Sequence, residues 1–249
     1  MLFRMTRVWL IGLVGLALLA PQAKAEKIYE HHFDDLNDIV VDTSAGGSVE
    51  ISTEQSVASG NALKMIDSGA GGAPMAFLTP SGLDDTTITA IIRYYSVGDD
   101  NDHASFRARG DGTNERITID RGWPTAGMLG YFDTSGYQAG PEYPIGQWVT
   151  IGLAMDSDTE TYDLYFAVGT EVTTADLVAE DVGMRADKTG AIDSFQMWPG
   201  WGPATQPIYI DELEIYSELG EGVVPEPSST LLLVIGSLCG LGWYARRRG

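Results

Sequence analysis

Hydrophobic and polar residues alternate with a period of two along the middle of the chain. The clearest run is 87–94, where every second position is apolar: Ile88, Ala90, Ile92 and Tyr94. Such alternation predicts strands that bury one face, and no window of ten or more residues carries a good helical period. The same pattern predicts further strands at 27–33, 48–52, 62–66, 116–120, 128–132, 149–155, 162–168, 191–198 and 208–216.

Clusters of glycine, aspartate and asparagine separate nearly all of these strands, which is typical of short turns. Many short strands over about 200 residues, without a repeat or a Pro/Ser-rich linker, predict one all-β domain at residues 26–222, a two-sheet antiparallel jelly-roll sandwich. The apolar phase slips between Ile210 and Leu213, so we expect a β-bulge at Asp211 and Glu212.

The first 25 residues have the features of a secretory signal peptide. A basic flank with Arg4 and Arg7 precedes an apolar run from Val8 to Ala20, and Ala23 and Ala25 form an Ala-x-Ala exit. This order predicts cleavage after Ala25. An uncut membrane anchor is the alternative, but the run is shorter than the ~20 residues that span a bilayer.

The last 27 residues, 223–249, form a second distinct segment. The segment contains the motif Val224, Pro225, Glu226, Pro227, then a short apolar run at 231–245 and a basic tail at 246–249. The apolar run, followed by basic residues, predicts a short C-terminal transmembrane helix. These three parts resemble the PEP-CTERM sorting signal, also catalogued as an ice-binding-protein C-terminal motif. The resemblance implies recognition by an exosortase-type membrane transpeptidase and delivery to the Gram-negative cell surface or extracellular matrix. An ordinary membrane anchor that stays attached is the alternative. Both a sorting signal and an anchor place residues 26–223, the body of the protein, outside the cytoplasm.

The net charge of the chain, −20, conceals a more acidic body. Six of the fifteen basic residues and one of the 35 acidic residues lie in the two terminal segments, so residues 26–225 carry nine bases and 34 acids, a net charge near −25. A body this acidic repels phosphate backbones and argues against nucleic-acid binding. The only cysteine, Cys239, lies in the tail, so the body has no disulfide.

The body is similar to the concanavalin A-like lectin/glucanase superfamily. The likeness rests on loose motifs spread from Glu26 to Ser217: Phe33-Asp34-Asp35, 60–64, the Trp148 strand ending at Asp156, 162–165 and 208–213. It implies a concanavalin A-like jelly roll. It leaves the function open, since this sandwich hosts lectins, adhesion modules, glycoside hydrolases and polysaccharide lyases.

No complete catalytic constellation of these enzymes is present in the sequence. Laminarinase-type relatives carry Glu-x-Asp-x-x-Glu, but Tyr209 stands at the first Glu position before Asp211 and Glu214. Alginate-lyase-like relatives carry a motif to which 131–138 has a passing likeness, but Asp133 replaces its lysine and the partner Gln-x-His motif is missing. We therefore expect a non-enzymatic protein, with lyase or hydrolase activity as the alternative.

Aromatic residues in two loop regions are candidates for binding a sugar. Trp198 and Trp201 flank a Gly/Pro-rich loop, and Trp123, Tyr137 and Tyr143 lie in another region. Flat rings stack on the apolar faces of sugars. Trp198 also fits a packed position at the end of its strand, and Trp201 is the ring more expected to be exposed.

A basic strip is the second candidate. If 106–109 pairs with 116–120 as a hairpin, Arg107, Arg109 and Arg116 share one face and could bind a uronate or a sulfate. The alternative is a solvated sheet face with acidic partners.

Acidic loops suggest calcium as a structural ion. One loop contains Asp99, Asp100, Asn101 and Asp102, and a second contains Asp156, Asp158 and Glu160. The superfamily resemblance also nominates Glu30, Asp34 and Asp211 between the first and last strands. Together these observations predict an exported surface or matrix protein that contacts polysaccharide, or else a polysaccharide-active enzyme or a purely structural matrix protein.

Overall fold

A computed structural model describes residues 25–57, 60–69, 72–83, 87–98, 103–112, 114–200 and 206–217. The signal segment up to Lys24, the sorting tail, Trp201 and the loop from Asp99 to Asp102 lie outside these residues. Within the described part, no helix is long and apolar enough to cross a membrane.

The described residues form fifteen strands and a single-turn 3-10 helix at Thr174–Asp176. The strands are β1 (Lys27–His31), β2 (Ile39–Asp42), β3 (Ser48–Ser52), β4 (Ala62–Ile66), β5 (Met75–Leu78), β6 (Thr87–Ser96), β7 (Ala104–Gly110), β8 (Asn114–Arg121), β9 (Met128–Asp133), β10 (Gly136–Glu142), β11 (Trp148–Asp156), β12 (Thr161–Val168), β13 (Leu177–Gly183), β14 (Ile192–Trp198) and β15 (Ile208–Tyr216).

Two antiparallel sheets contain all of these strands. Sheet A has eight strands in the order β13-β12-β11-β6-β15-β4-β3, with β1 also paired to β15. Sheet B has seven strands in the order β10-β9-β8-β7-β14-β5-β2. The expected all-β, two-sheet antiparallel sandwich is therefore confirmed.

The core lies between the sheets and follows the period-two alternation of the sequence. In β6, the inward residues Ile88, Ala90, Ile92 and Tyr94 are each at most 2% exposed. The two layers are also joined by a hydrogen bond, since the hydroxyl of Tyr162 on β12 donates to the carbonyl oxygen of Phe132 on β9 at 2.7 Å. The alternation thus specifies which face of each long strand enters the core.

Four strands were not expected from the pattern: β2, β5, β10 and β13. Three of them, β2, β10 and β13, lie at sheet edges. An edge strand buries less of its surface, and residues 136–142 and 177–183 carry few fully buried side chains. Their amphipathic pattern is correspondingly weak.

The β-bulge expected in the last strand is confirmed. The pairing of β15 with β6 shifts between Asp211 and Glu214, and Glu212 adopts a φ of 55°. Before the bulge β15 pairs with β4, and after it β15 pairs with β1. One strand thus holds two neighbours along the same edge.

The outer face of sheet A is partly covered by the segment 169–176. Ile91 and Tyr165 are buried with Val172 in a small apolar cluster. Arg93 fixes the segment, because its Nε donates to the carbonyl oxygen of Thr170 at 2.8 Å. The outer face of sheet B, by contrast, contains a large groove.

Candidate functional site

A groove of about 920 Å³ lies on the outer face of sheet B, over β5, β14, β7 and β8. Because Phe106, Ala108, Phe195 and Met197 point into the core, the residues between them face the groove. The register places Gln196 directly between Phe77 on β5 and Arg107 on β7. These three side chains form the floor of what we call the sheet B groove.

Trp123 forms one wall of the groove. Its loop begins at the end of β8 and includes a cis peptide bond between Trp123 and Pro124. The ring is 51% exposed and meets Tyr137 edge-on at a centroid distance of 6.1 Å. Gly130 lies beneath the loop, and a Cβ at that position would fall 1.6 Å from the carbonyl oxygen of Trp123. The wall therefore depends on a residue without a side chain.

The other boundaries of the groove also depend on close backbone packing. The loops around Ala45 and Gly72 form the opposite wall, and a Cβ on Gly72 would lie 2.6 Å from the Cβ of Ala45. Gly200, at a φ of +85°, packs against His103, and a Cβ added to Gly200 would lie 2.1 Å from the Cβ of His103. Loops distant in sequence thus enclose the groove.

Arg107 is held rigidly in the floor. Its guanidinium carbon lies 4.6 Å from the centre of the Trp198 ring, within cation–π range. Its Nε donates to Ser105 Oγ at 3.1 Å, and its Nη1 donates to a carboxylate oxygen of Glu115. Trp198 is half-buried beside it and lines the groove, so this ring both packs at its strand end and faces the groove.

Arg109 occupies the next outward position on β7. Its guanidinium carbon lies 5.1 Å from the centre of the Phe77 ring. Burial lowers the pKa of Arg109, although nearby Glu115 and Asp193 oppose the shift. The hairpin of β7 and β8 is confirmed, and Arg107 and Arg109 share its outward face as expected.

The expectation that Arg116 shares this face is wrong. The register of β7 and β8 shifts so that Ala108 faces Ile117 while Arg109 faces Glu115, which leaves Arg116 as the extra residue of a bulge. Its side chain is 2% exposed, and its Nη1 donates to the carbonyl oxygen of Gly190 at 2.6 Å. Arg116 is a structural residue beside the core.

Buried Asp120 and half-buried Tyr137 form a polar pair in the groove. Asp120 is 8% exposed. Burial raises the pKa of its carboxyl group, while hydrogen bonds from Ser105 and Tyr137 and the charge of Arg107 act against the shift. Burial and the Asp120 carboxylate raise the pKa of Tyr137, so the phenol stays protonated at neutral pH and serves as a donor. Tyr143, in contrast, is 2% exposed and lies in the core.

Gln196 was not singled out from the sequence. It is 3% exposed, and its Nε2 lies 3.1 Å from the sulfur of Met75, a weak acceptor. A ligand oxygen would be a better partner than the thioether. The alternation of β14 already assigns Gln196 to the same face as Trp198, but only the neighbouring strands show that this face is concave.

Among the nominated calcium ligands that the structure describes, Glu30, Asp34 and Asp211 do not form one cluster, and Asp99 and Asp102 lie outside the described residues. Among the described residues, one group of three offers ligand atoms within 4.8 Å of one another: Glu30, His32 and Glu212. Its two carboxylates already pair with cations, Glu30 with Lys27 and Glu212 with Arg93.

Three other nominated acids within the described part of the chain have structural partners: Asp34, Asp156 and Asp211. Asp34 accepts a hydrogen bond from Asn61 Nδ2 at 2.9 Å, and buried Asp211 accepts one from the Val57 amide. Asp156 accepts hydrogen bonds from the amides of Asp158 and Thr159, so this loop is stabilised as a turn. Structural calcium stays a prediction.

No family model and no curated protein matches the chain. Solved structures do resemble it. The cellulose induced protein Cip1 is 13% identical with a TM-score of 0.56, and the match covers 77% of this chain and all of that one. Domain 4 of AbnA, an extracellular GH43 arabinanase from Geobacillus stearothermophilus solved with arabinotriose, is 18% identical with a TM-score of 0.51, covering 79% of this chain and 94% of that one.

A sialidase is similar over a smaller part of its length. It is 9% identical with a TM-score of 0.58, and the match covers 78% of this chain but 19% of the sialidase. Structural similarity at sequence identities this low shows a shared fold and nothing about function. Together with the sheet topology, these similarities show that the described residues between 25 and 217 adopt an antiparallel jelly-roll β-sandwich.

Proposed function

We propose that this protein is an exported, carbohydrate-contacting protein that holds a polysaccharide in the sheet B groove without cleaving it. The observation that carries the proposal is the groove itself, in which Trp123, Tyr137 and Trp198 surround a polar floor. Sugar sites combine apolar ring surfaces with a few placed hydrogen-bonding groups. The arabinotriose complex of the structurally similar AbnA domain supports the same reading.

The polar groups of the floor suit binding more than catalysis. Tyr137 stays protonated and cannot act as a base at neutral pH. Glu115 lies between the guanidinium groups of Arg107 and Arg185, which engage both of its carboxylate oxygens. Arg107 and Gln196 can donate hydrogen bonds to sugar hydroxyl groups without any covalent step.

A polysaccharide-cleaving enzyme is the second candidate. Asp120 favours it, because a buried carboxyl group with a raised pKa in a groove has the property required of a general acid. Release of new reducing ends or of unsaturated uronates during incubation with polysaccharides would establish this activity and overturn the non-enzymatic proposal.

Export and surface sorting complete the proposal. Residues 1–25 have the order of a signal peptide and residues 223–249 that of a PEP-CTERM tail, so an exosortase-type transpeptidase is the proposed processing partner. The proposed location is the Gram-negative cell surface or extracellular matrix. Mass spectrometry of the protein recovered from the native surface tests this: a chain that ends near Pro225 supports sorting, whereas an intact Arg248 refutes it.

Retention of the purified protein on immobilised polysaccharides tests the binding function. Trp123→Ala is expected to weaken retention at least about tenfold, since an aromatic ring that stacks on a bound sugar contributes as a hot spot. Trp148→Ala is the matched control, because Trp148 packs on Tyr95 in sheet A, away from the groove. Equal retention of both variants would contradict the proposed site.

A further inference from the structure

We infer that the sheet B groove selects saccharides that carry carboxylate or sulfate groups, and that Arg109 binds the anion. This inference rests on the proposed function and adds the chemical class of the ligand.

The distribution of charge is the first argument. The body carries a net charge near −25, yet four of its nine basic residues belong to strands of sheet B: Arg107, Arg109, Arg116 and Arg121. Two of these guanidinium groups, those of Arg107 and Arg109, line the groove. The groove is therefore a place where this acidic surface can accept an anion.

The acidic residues near Arg109 are engaged by other groups. Glu115 also pairs with Arg107 and with Arg185. Asp193 accepts hydrogen bonds from the Gly112 amide at 2.8 Å and from Ser194 Oγ at 2.7 Å. Glu115 and Asp193, the two carboxylates whose charge acts on Arg109, therefore each have further partners.

The geometry of Arg109 is the second argument. Its guanidinium lies over the ring of Phe77, the floor residue that pairs with Gln196. A guanidinium supported by a ring presents its N–H groups as a fork that matches a carboxylate or sulfate in two parallel hydrogen bonds. Partial burial, which lowers the pKa of Arg109, also strengthens its interaction with an anion.

Arg107 has a different role in the same floor. Its contacts with Trp198, Ser105 and Glu115 fix it in place. Arg107 is therefore suited to contact hydroxyl groups of the polysaccharide, whereas the anionic substituent of the sugar lies over Arg109.

Matched polymers that differ only in charge test this inference. The probes are polygalacturonate against its methyl ester, and dextran sulfate against dextran, each measured for affinity to the purified protein. The proteins are wild type, Arg109→Gln, Arg109→Lys and Lys188→Gln. Lys188 is the control base, because it lies outside the groove and pairs with Asp187.

The expected result is tighter binding of at least one charged polymer than of its neutral counterpart. Arg109→Gln should weaken that binding at least about tenfold and Arg109→Lys by less, while Lys188→Gln leaves it unchanged. The pair that responds identifies the anion as a carboxylate or a sulfate.

Two results would overturn the inference alone: equal binding of charged and neutral polymers, or unchanged binding by Arg109→Gln. Both leave the proposed function standing if Trp123→Ala still weakens retention. If the protein binds none of these four polymers and none of the immobilised polysaccharides of the retention assay, the proposed function is overturned as well.

Discussion

Gly130→Ala should displace the Trp123 wall of the groove while leaving the sandwich folded. Gly130 is a buried residue of β9, and its backbone conformation is an ordinary extended one, so alanine introduces no φ strain. The added Cβ, however, would lie 1.6 Å from the Trp123 carbonyl oxygen and 2.7 Å from its carbonyl carbon. The Trp123 backbone must therefore move.

The size of the effect follows from that overlap. Ordinary contacts of a Cβ begin at 3.4 Å, so the carbonyl oxygen must retreat by about 2 Å. Overpacking of this kind costs about 1–3 kcal/mol of unfolding free energy. For a domain of this size each kcal/mol lowers Tm by about 2–4 °C, so we expect a decrease of roughly 5 °C. Polysaccharide retention should fall at least about tenfold, as for Trp123→Ala.

Gly140→Ala is the matched control for this prediction. Gly140 lies on neighbouring β10, and a Cβ there would meet Leu129 at 3.4 Å or more, within ordinary contact. Thermal melts followed by circular dichroism and retention on the same polysaccharide would be compared for the two variants. If Gly130→Ala matches Gly140→Ala in both Tm and retention, the wall does not depend on this glycine and the reasoning is wrong.

Three further predictions concern residues in or beside the core. Arg116→Ala should lower the free energy of unfolding in urea by about 3 kcal/mol, because it removes a buried charged donor and leaves a cavity. The folded variant should retain polysaccharide as well as wild type does. A loss of retention without a loss of stability would show instead that Arg116 acts in the groove. Tyr162→Phe should lower the free energy of unfolding by about 1–2 kcal/mol, because it deletes the hydrogen bond to Phe132. Tyr143→Phe should be neutral or stabilising, since that buried hydroxyl has no hydrogen-bond partner among the described residues. Equal urea midpoints for the two variants would contradict this reasoning. The pKa of Asp120 is higher in the folded chain than its ordinary value of 3.8, so the stability that its protonated form contributes is complete below that value and is lost as the pH rises through the folded pKa. Asp120→Asn should therefore become more stable relative to wild type as the pH rises from acidic to neutral, and a relative stability that stays constant or falls over this range would refute the assignment.

Local pattern was sufficient to predict the all-β class, most of the long strands, the β7–β8 hairpin and the bulge of β15. Alternation predicted the inward face of β6 because the side chains of a strand point to opposite faces in turn. The slip between Ile210 and Leu213 predicted the bulge for the same reason. Edge strands such as β10 escaped prediction because little of their surface is buried.

The groove depended on the tertiary structure. Arg107 and Arg109 were recognised as candidates from their own strand, but the bulge that turns Arg116 inward exists only in the register between β7 and β8. Gln196 and Asp120 became candidates once strands far apart in sequence were paired. Alternation predicted which residues of a regular strand face outward, since that depends on neighbours along one strand; Arg116, at a bulge, was the exception. Which outward residues meet in one groove was decided by register and loop packing, because those contacts join residues distant along the chain.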